Sequence, residues 1–189
     1  HAMGISINEY LVSVYIWSVY TECLHGMPSK CPIRVAVPVN LRPYFNSITT
    51  KNFFVMVSAE FHPTKETYTF AEVAAIVKES LRSQINRENL EKLFSYNVSN
   101  EKLLIARVVP LFLKNLAMKY VYTTSALANT ATITNIGNIS VTEEYRPYVE
   151  MFHAFLAMSK GQHLKGTICS YGDTLVFSFS YDLVDASVQ

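Results

Sequence analysis

The chain has 189 residues, half of them hydrophobic and only 16% charged. That composition excludes intrinsic disorder, because disordered chains are poor in apolar residues and rich in charge. Sixteen Lys and Arg against 15 Asp and Glu leave a net charge of +1, so the basic field of a general nucleic-acid binder is missing.

Residues 4–189 read as a single domain, since a chain of this length can bury about 70% of the surface it exposes when unfolded. His1-Ala2-Met3 reads as a cloning remnant, not as a signal peptide. Cys23, Cys31 and Cys169 are too few and too scattered for a disulfide framework, and read as the reduced thiols of a cytoplasmic protein. Sequons occur at Asn97 and Asn138, as chance allows in a chain rich in Asn and Thr. No membrane span is expected. The apolar stretch Tyr10–Thr21 is shorter than the ~20 residues a spanning helix needs, and the charge-free run Tyr120–Thr142 is filled with Thr and Asn.

In chain order, Ser6-Ile7-Asn8-Glu9 is a capping box that opens a helix. Leu11, Val14, Tyr15, Val19 and Leu24 approximate one face, and Gly26 with Pro28 ends the run. Val12, Ile16 and Tyr20 make the opposite face equally apolar, which predicts a helix buried on most sides. Ile33–Leu41 and Phe53–Phe61 read as strands, with Pro38 at an edge or a bulge. Thr69-Phe70-Ala71-Glu72 opens a second helix with the stripe Phe70, Val73, Val77 and Leu81. Helical pattern then continues to Val121, with breaks near Asn97 and Pro110 and a solvated side marked by Lys92, Arg107, Lys114 and Lys119. A buried strand follows from Ala131 to Gly137, Tyr148–Met158 is read as another, and Leu164–Tyr171 and Thr174–Tyr181 form a hairpin about Gly172-Asp173. This order predicts a layered α/β or α+β domain.

The sequence has no Walker loop, nucleophile elbow, Cys-x-x-Cys or His-Glu-x-x-His. No two histidines have a metal-ligand spacing, so no metal site is expected. Cys23–His25 and His163 are the only candidates for a self-contained catalytic group. More informative are polar residues set into apolar strand ends: Asn40 and Arg42 after the first strand, Asn52 before the second, and Thr134 and Asn135 in the third. Such groups need a backbone partner or a ligand cavity. Together they suggest a polar seam along one side of a sheet.

The succession SINEYL, PVNLR, KNFF, TNIG and SYGDTLVFSFSYD resembles the C-terminal half of the CoA-dependent acyltransferase superfamily. That group includes chloramphenicol acetyltransferase, condensation domains, alcohol O-acetyltransferases and wax ester synthases. The likeness runs in order from Ile5 to Asp182 and lies in the spacing of short motifs, nearest to the alcohol acetyltransferase or condensation branch. It implies a mixed, largely antiparallel sheet with helices packed on one face, forming one of two lobes about a solvent tunnel. It further implies Thr134, Asn135 and Gly137 on the tunnel wall, Asn40 and Arg42 as a structural anchor, and acetyl-CoA or another acyl thioester as co-substrate. Lys160 and Lys165 could meet CoA phosphates, though they are equally ordinary surface lysines.

The superfamily's His-His-x-x-x-Asp-Gly motif, whose second His is the general base, is absent from this sequence. The resemblance then implies an N-terminal lobe as partner, a fragment inactive alone, and a final helix opening at Val184 that the chain does not complete. An exposed lobe face should make the chain self-associate. The alternative is a non-catalytic condensation-like binding or interaction module.

Overall fold

Ser6 and Thr69 begin the two helices on which the core is built. The computed structural model describes residues 4–102, 109–158 and 162–182. In chain order these form α1 (Ile7–Ser18), β1 (Ile33–Asn40), α2 (Arg42–Phe45), β2 (Phe54–Phe61), α3 (Phe70–Gln84), α4 (Arg87–Lys102), α5 (Leu111–Leu127), β3 (Ala131–Asn138), β4 (Leu164–Tyr171) and β5 (Thr174–Tyr181). Both capping boxes close: the Ser6 hydroxyl accepts from Glu9 N–H, Glu9 Oε2 accepts from Ser6 N–H at 2.6 Å, and Thr69 and Glu72 repeat the exchange.

From Leu11 to Thr21 no side chain of the first helix is exposed. Its most buried side is Val12, Tyr15, Ile16, Val19 and Tyr20, whereas Leu11 and Val14 from the other predicted face are half-buried. After Ser18 the helix widens into a π turn, Val19–Cys23. Just beyond it the Tyr20 hydroxyl donates to the Gly26 carbonyl at 2.6 Å, and the Tyr20 ring meets Phe61 and Tyr68 edge-on. On α3 the expected stripe is buried through Val73, Val77 and Leu81.

The five strands lie in the order β2-β1-β3-β4-β5. The outer pairings, β1–β2 and β4–β5, are antiparallel along their whole length; the inner ones, β1–β3 and β3–β4, are parallel and shorter. Because successive residues of a strand point to opposite faces, one face collects Val35, Val37, Val55, Val57, Ile133 and Ile168, all buried in the core with α1 and α3. The other face carries Ala36, Pro38 and Asn40 of β1, Ser58, Met56 and Phe54 of β2, Thr132 and Thr134 of β3, and Lys165 and Thr167 of β4.

Three sequence expectations are corrected. The helix through Asn97 is unbroken to Lys102; the break falls earlier, at Ile85 and Asn86 between α3 and α4. Lys92 and Lys119 are exposed as expected, but α5 has no covered apolar face opposite its lysines: Leu111, Phe112, Leu116 and Tyr120 are exposed too, while Lys114 is half-buried. Tyr148–Met158 is no strand. Its burial alternates with period two, Phe152, Ala154, Leu156 and Met158 inward and Met151, His153, Phe155 and Ala157 outward, but no ladder pairs it. It is a strap tied by side chains, since Cys169 Sγ donates to the Phe152 carbonyl at 3.2 Å and Lys165 Nζ to the Ala157 carbonyl at 2.8 Å. Arg107, Lys160 and the helix expected from Val184 lie outside the described residues.

Glu9 joins the two core helices. Arg82 Nε and Nη2 reach its two oxygens at 2.7 and 3.1 Å, and the carboxylate side chain is only 9% exposed. These bonds from Arg82 hold the Glu9 pKa below its ordinary value, against the opposing effect of burial. A depressed carboxylate stabilises the fold above its unfolded pKa and loses that contribution as pH falls through the folded value. Glu9→Gln should therefore lower the thermal midpoint at neutral pH, by the equivalent of about 2 kcal/mol, and the gap from wild type should close progressively below pH 4.5; a gap independent of pH would contradict this linkage.

Gly166 marks a second tight point. A Cβ there would lie 2.7 Å from the Phe177 ring and 3.3 Å from Ile133, and the Phe179 ring, 4.3 Å away by centroids, crowds any retreat of Phe177. Gly166→Ala should cost roughly 1–3 kcal/mol by overpacking, and Phe177→Leu in the same chain should recover part of it, both read from denaturant midpoints.

Candidate functional site

The sheet face opposite the helices is covered only in part. The strap from Val149 to Met158 lies over its β4 side, where Phe152 meets Tyr171 edge-on at 5.3 Å. Between strap and β2 remains an open groove of about 410 Å³. Its apolar lining comes from Pro38, Phe53, Phe54, Met56 and Leu156, and its polar lining from Asn40, Arg42, Asn52, Thr132, Thr134 and Asn135.

The polar residues reach this groove for local reasons. Pro38 pairs with Met56 and Asn40 with Phe54 in the β1–β2 register, so the same alternation that buries Val37, Val55 and Val57 on the helix side turns these four toward the groove. Leu41 is fully buried and starts the short helix α2, which carries Arg42. Asn40 Oδ1 accepts from the Arg42 N–H at 3.1 Å and from Nη1 at 3.3 Å. Arg42 Nε and Nη2 donate to the Thr49 carbonyl at 3.1 and 3.0 Å, and Nη2 also to the Lys51 carbonyl at 2.7 Å. The guanidinium thus bolts the 46–52 loop to the end of β1 and delivers Asn52 to the groove. Arg42 is the one formal charge among the described lining residues.

On β3 the ladder to β4 shifts between Asn135 and Gly137, a bulge that leaves Ile136 exposed. Gly137 has φ +85° with nothing within 4 Å of a would-be Cβ, so backbone conformation rather than space calls for glycine there. Its N–H donates to Asn135 Oδ1 at 2.8 Å. That bond fixes the amide so that Nδ2 is the end able to donate to a ligand. Of the three wall residues expected, Thr134 and Asn135 line the groove; Gly137 does not, and acts on it through Asn135.

Next to Thr134 in the ladder stands Thr167, buried to 2% and with its hydroxyl unbonded among the described residues. Thr132 donates to Gln162 Oε1 at 3.2 Å under the strap. The groove's apolar residues were not singled out from sequence, although the continuous apolar run opening the second strand, with Phe54 and Met56 alternating against Val55 and Val57, is the signal that both faces of β2 are apolar.

The other candidate groups lie elsewhere. His163 Nδ1 sits 2.9 Å from Asp182 Oδ1 in an exposed pair at the open end of the hairpin, away from the groove. Cys23 and His25 flank the exit of the π turn, with His25 at φ +51°, and no hydrogen bond joins them among the described residues. His153 stacks on Phe155. Among the described residues no cluster of His, Cys, Asp or Glu could hold a metal ion, and no helix is long and apolar enough to cross a membrane.

Comparison of the chain with protein-family models and with curated protein sequences gives no match.

Arg42→Ala should release the 46–52 loop, raising amide hydrogen exchange there selectively and costing about 2 kcal/mol of stability. Arg42→Lys should restore little, because one ammonium cannot reproduce the fork that spans two carbonyls and an amide; full recovery by Lys would show that charge alone matters.

Proposed function

We propose that this chain supplies one wall of an acyl-transfer site of the CoA-dependent acyltransferase type, with acetyl-CoA or another acyl thioester as donor and an alcohol or amine as acceptor. The observation that supports this reading is the convergence of Asn40, Arg42, Asn52, Thr134 and Asn135, distant in sequence, along one groove with an apolar floor. Pro38, Met56 and Leu156 offer a surface for an acyl chain. Asn135 Nδ2, oriented through its bond to Gly137, offers a donor to the thioester oxygen as it becomes an oxyanion. Arg42 and Asn40 serve as the anchor that keeps the wall in place.

Among the described residues no His, Asp, Glu or Lys lines the groove, so the general base in this reading belongs to a second lobe, outside this chain, and the chain alone does not turn over. The same lack of a base favours a second reading, a condensation-like module that binds an acyl thioester or its carrier without reacting it. In either case a reducing, cytoplasmic setting suits the free cysteines.

Titration calorimetry with acetyl-CoA and with an acyl-pantetheine thioester tests the binding that both readings require. Binding should be lost in Met56→Trp, which fills the groove from a half-exposed position, and no binding of either probe would overturn both. Turnover separates them: when the chain is joined to a lobe bearing His-His-x-x-x-Asp-Gly, transfer should appear and Asn135→Ala should slow it about 10²–10³-fold. Binding without transfer in the joined protein would leave the module reading.

A further inference from the structure

The two edges of the sheet are treated differently. At the β2 edge, α3 covers the backbone: Gln84 Oε1 accepts from Ser58 N–H at 3.3 Å, Gln84 Nε2 donates to the Ser58 carbonyl at 2.9 Å, and Ser80 Oγ accepts from Glu60 N–H at 3.1 Å. Such side-chain cover is a common way to stop an edge from pairing with another chain. At the β5 edge the described residues provide none. Asp182 N–H donates to the His163 carbonyl, and from there inward alternate residues of β5 bond to β4 in the antiparallel register. The residues between them, Leu175, Phe177, Phe179 and Tyr181, turn their N–H and C=O groups away from β4, and among the described residues nothing bonds to them.

The chemistry of this edge favours pairing with itself. β5 reads Thr174-Leu-Val-Phe-Ser-Phe-Ser-Tyr181 and contains no charge, proline or bulge, whereas the guarded edge strand β2 carries Glu60. A two-fold interface sets a strand against its own copy, so any charge near its centre would face a like charge. Here no such penalty arises. The apolar side chains flanking the edge are also uncovered: Leu175 is 46% and Tyr181 45% exposed, because α1 and α3 pack over β1 and β2 and not over β5.

We propose that β5 pairs antiparallel with β5 of a second copy of this chain, about a two-fold axis at Ser178, so that the two sheets become one. That register uses every outward group. Phe177 pairs with the copy's Phe179 and Leu175 with its Tyr181, each exchanging hydrogen bonds, and Val176 faces Ser180. Ser178 faces itself as a non-hydrogen-bonded pair. The aromatic and leucine side chains then cover one another across the junction. The inference does not depend on acyl transfer, and its failure would leave the reading of the groove untouched.

Sedimentation equilibrium and cysteine cross-linking on the full chain test it. The chain should be a dimer in concentration-dependent equilibrium with monomer. Leu175→Pro removes an outward N–H from a half-exposed position and should give a monomer whose circular dichroism matches wild type. In a Cys23→Ser, Cys31→Ser background, the near-isosteric Ser178→Cys should form a disulfide-linked dimer on mild oxidation, since non-hydrogen-bonded antiparallel partners lie ~4.5 Å apart between Cα atoms, within disulfide reach. Thr174→Cys, four residues from the axis, should not. A chain monomeric at all concentrations would overturn the proposal. So would a dimer that survives Leu175→Pro and leaves Ser178→Cys unlinked, which would point to another surface, such as the exposed helix α5.

Discussion

The β1–β2 register, running from Ile33 opposite Phe61 to Asn40 opposite Phe54, is the constraint on which the rest of the structure depends. It places Val35, Val37, Val55 and Val57 on the side where α1 and α3 pack, and by the same alternation puts Pro38, Asn40, Phe54 and Met56 on the other. A slip of either strand by one residue would exchange that strand's two sets, exposing its valines and burying Asn40 of β1 or Glu60 of β2. Core and groove are two consequences of one pairing, and neither can be altered independently at that point of the chain.

The helix layer is locked onto this sheet from above. Glu9 is shared between a capping box and Arg82, so the start of α1 is fixed against the C-terminal part of α3 while Val12 and Ile16 meet the core beneath. The π turn past Ser18 places Tyr20 between Phe61 and Tyr68 with its hydroxyl satisfied by Gly26. Coverage is uneven, however. Helices cover β1 and β2, and the strap covers part of β4 on the opposite face, which leaves the groove beside Met56 and the β5 edge open.

Much of the site's polar set was legible because polarity at strand ends is unusual. Asn40, Arg42, Asn52, Thr134 and Asn135 interrupt runs that are otherwise apolar, and the fold brings all five to one groove. The division into wall and anchor came only from the resemblance, and the bonding partners that each residue takes were not legible. That Arg42 spends its guanidinium on the Thr49 and Lys51 carbonyls, and that Gly137 serves Asn135 through its N–H, are facts of a loop and a bulge whose geometry no residue pattern encodes. The strap shows the limit most clearly. Met151 to Met158 alternates as a strand does, but strand formation needs a neighbour, and here the contacts are made by Cys169 and Lys165 side chains instead.

By itself, then, the sequence determined what is local: where capping boxes start α1 and α3, where Gly172 turns the last hairpin, and which strands alternate, since caps, turns and pleat depend on residues within a few positions of one another. Only the tertiary structure decided the parallel placement of β3 beside β1, the exposure of α5, the meeting of β1, β2 and β3 at one groove, and which sheet edge is guarded. Those outcomes rest on contacts such as Arg34 with Thr130 and Ser58 with Asn129, between segments far apart along the chain, where competing arrangements differ by packing and desolvation rather than by any local preference.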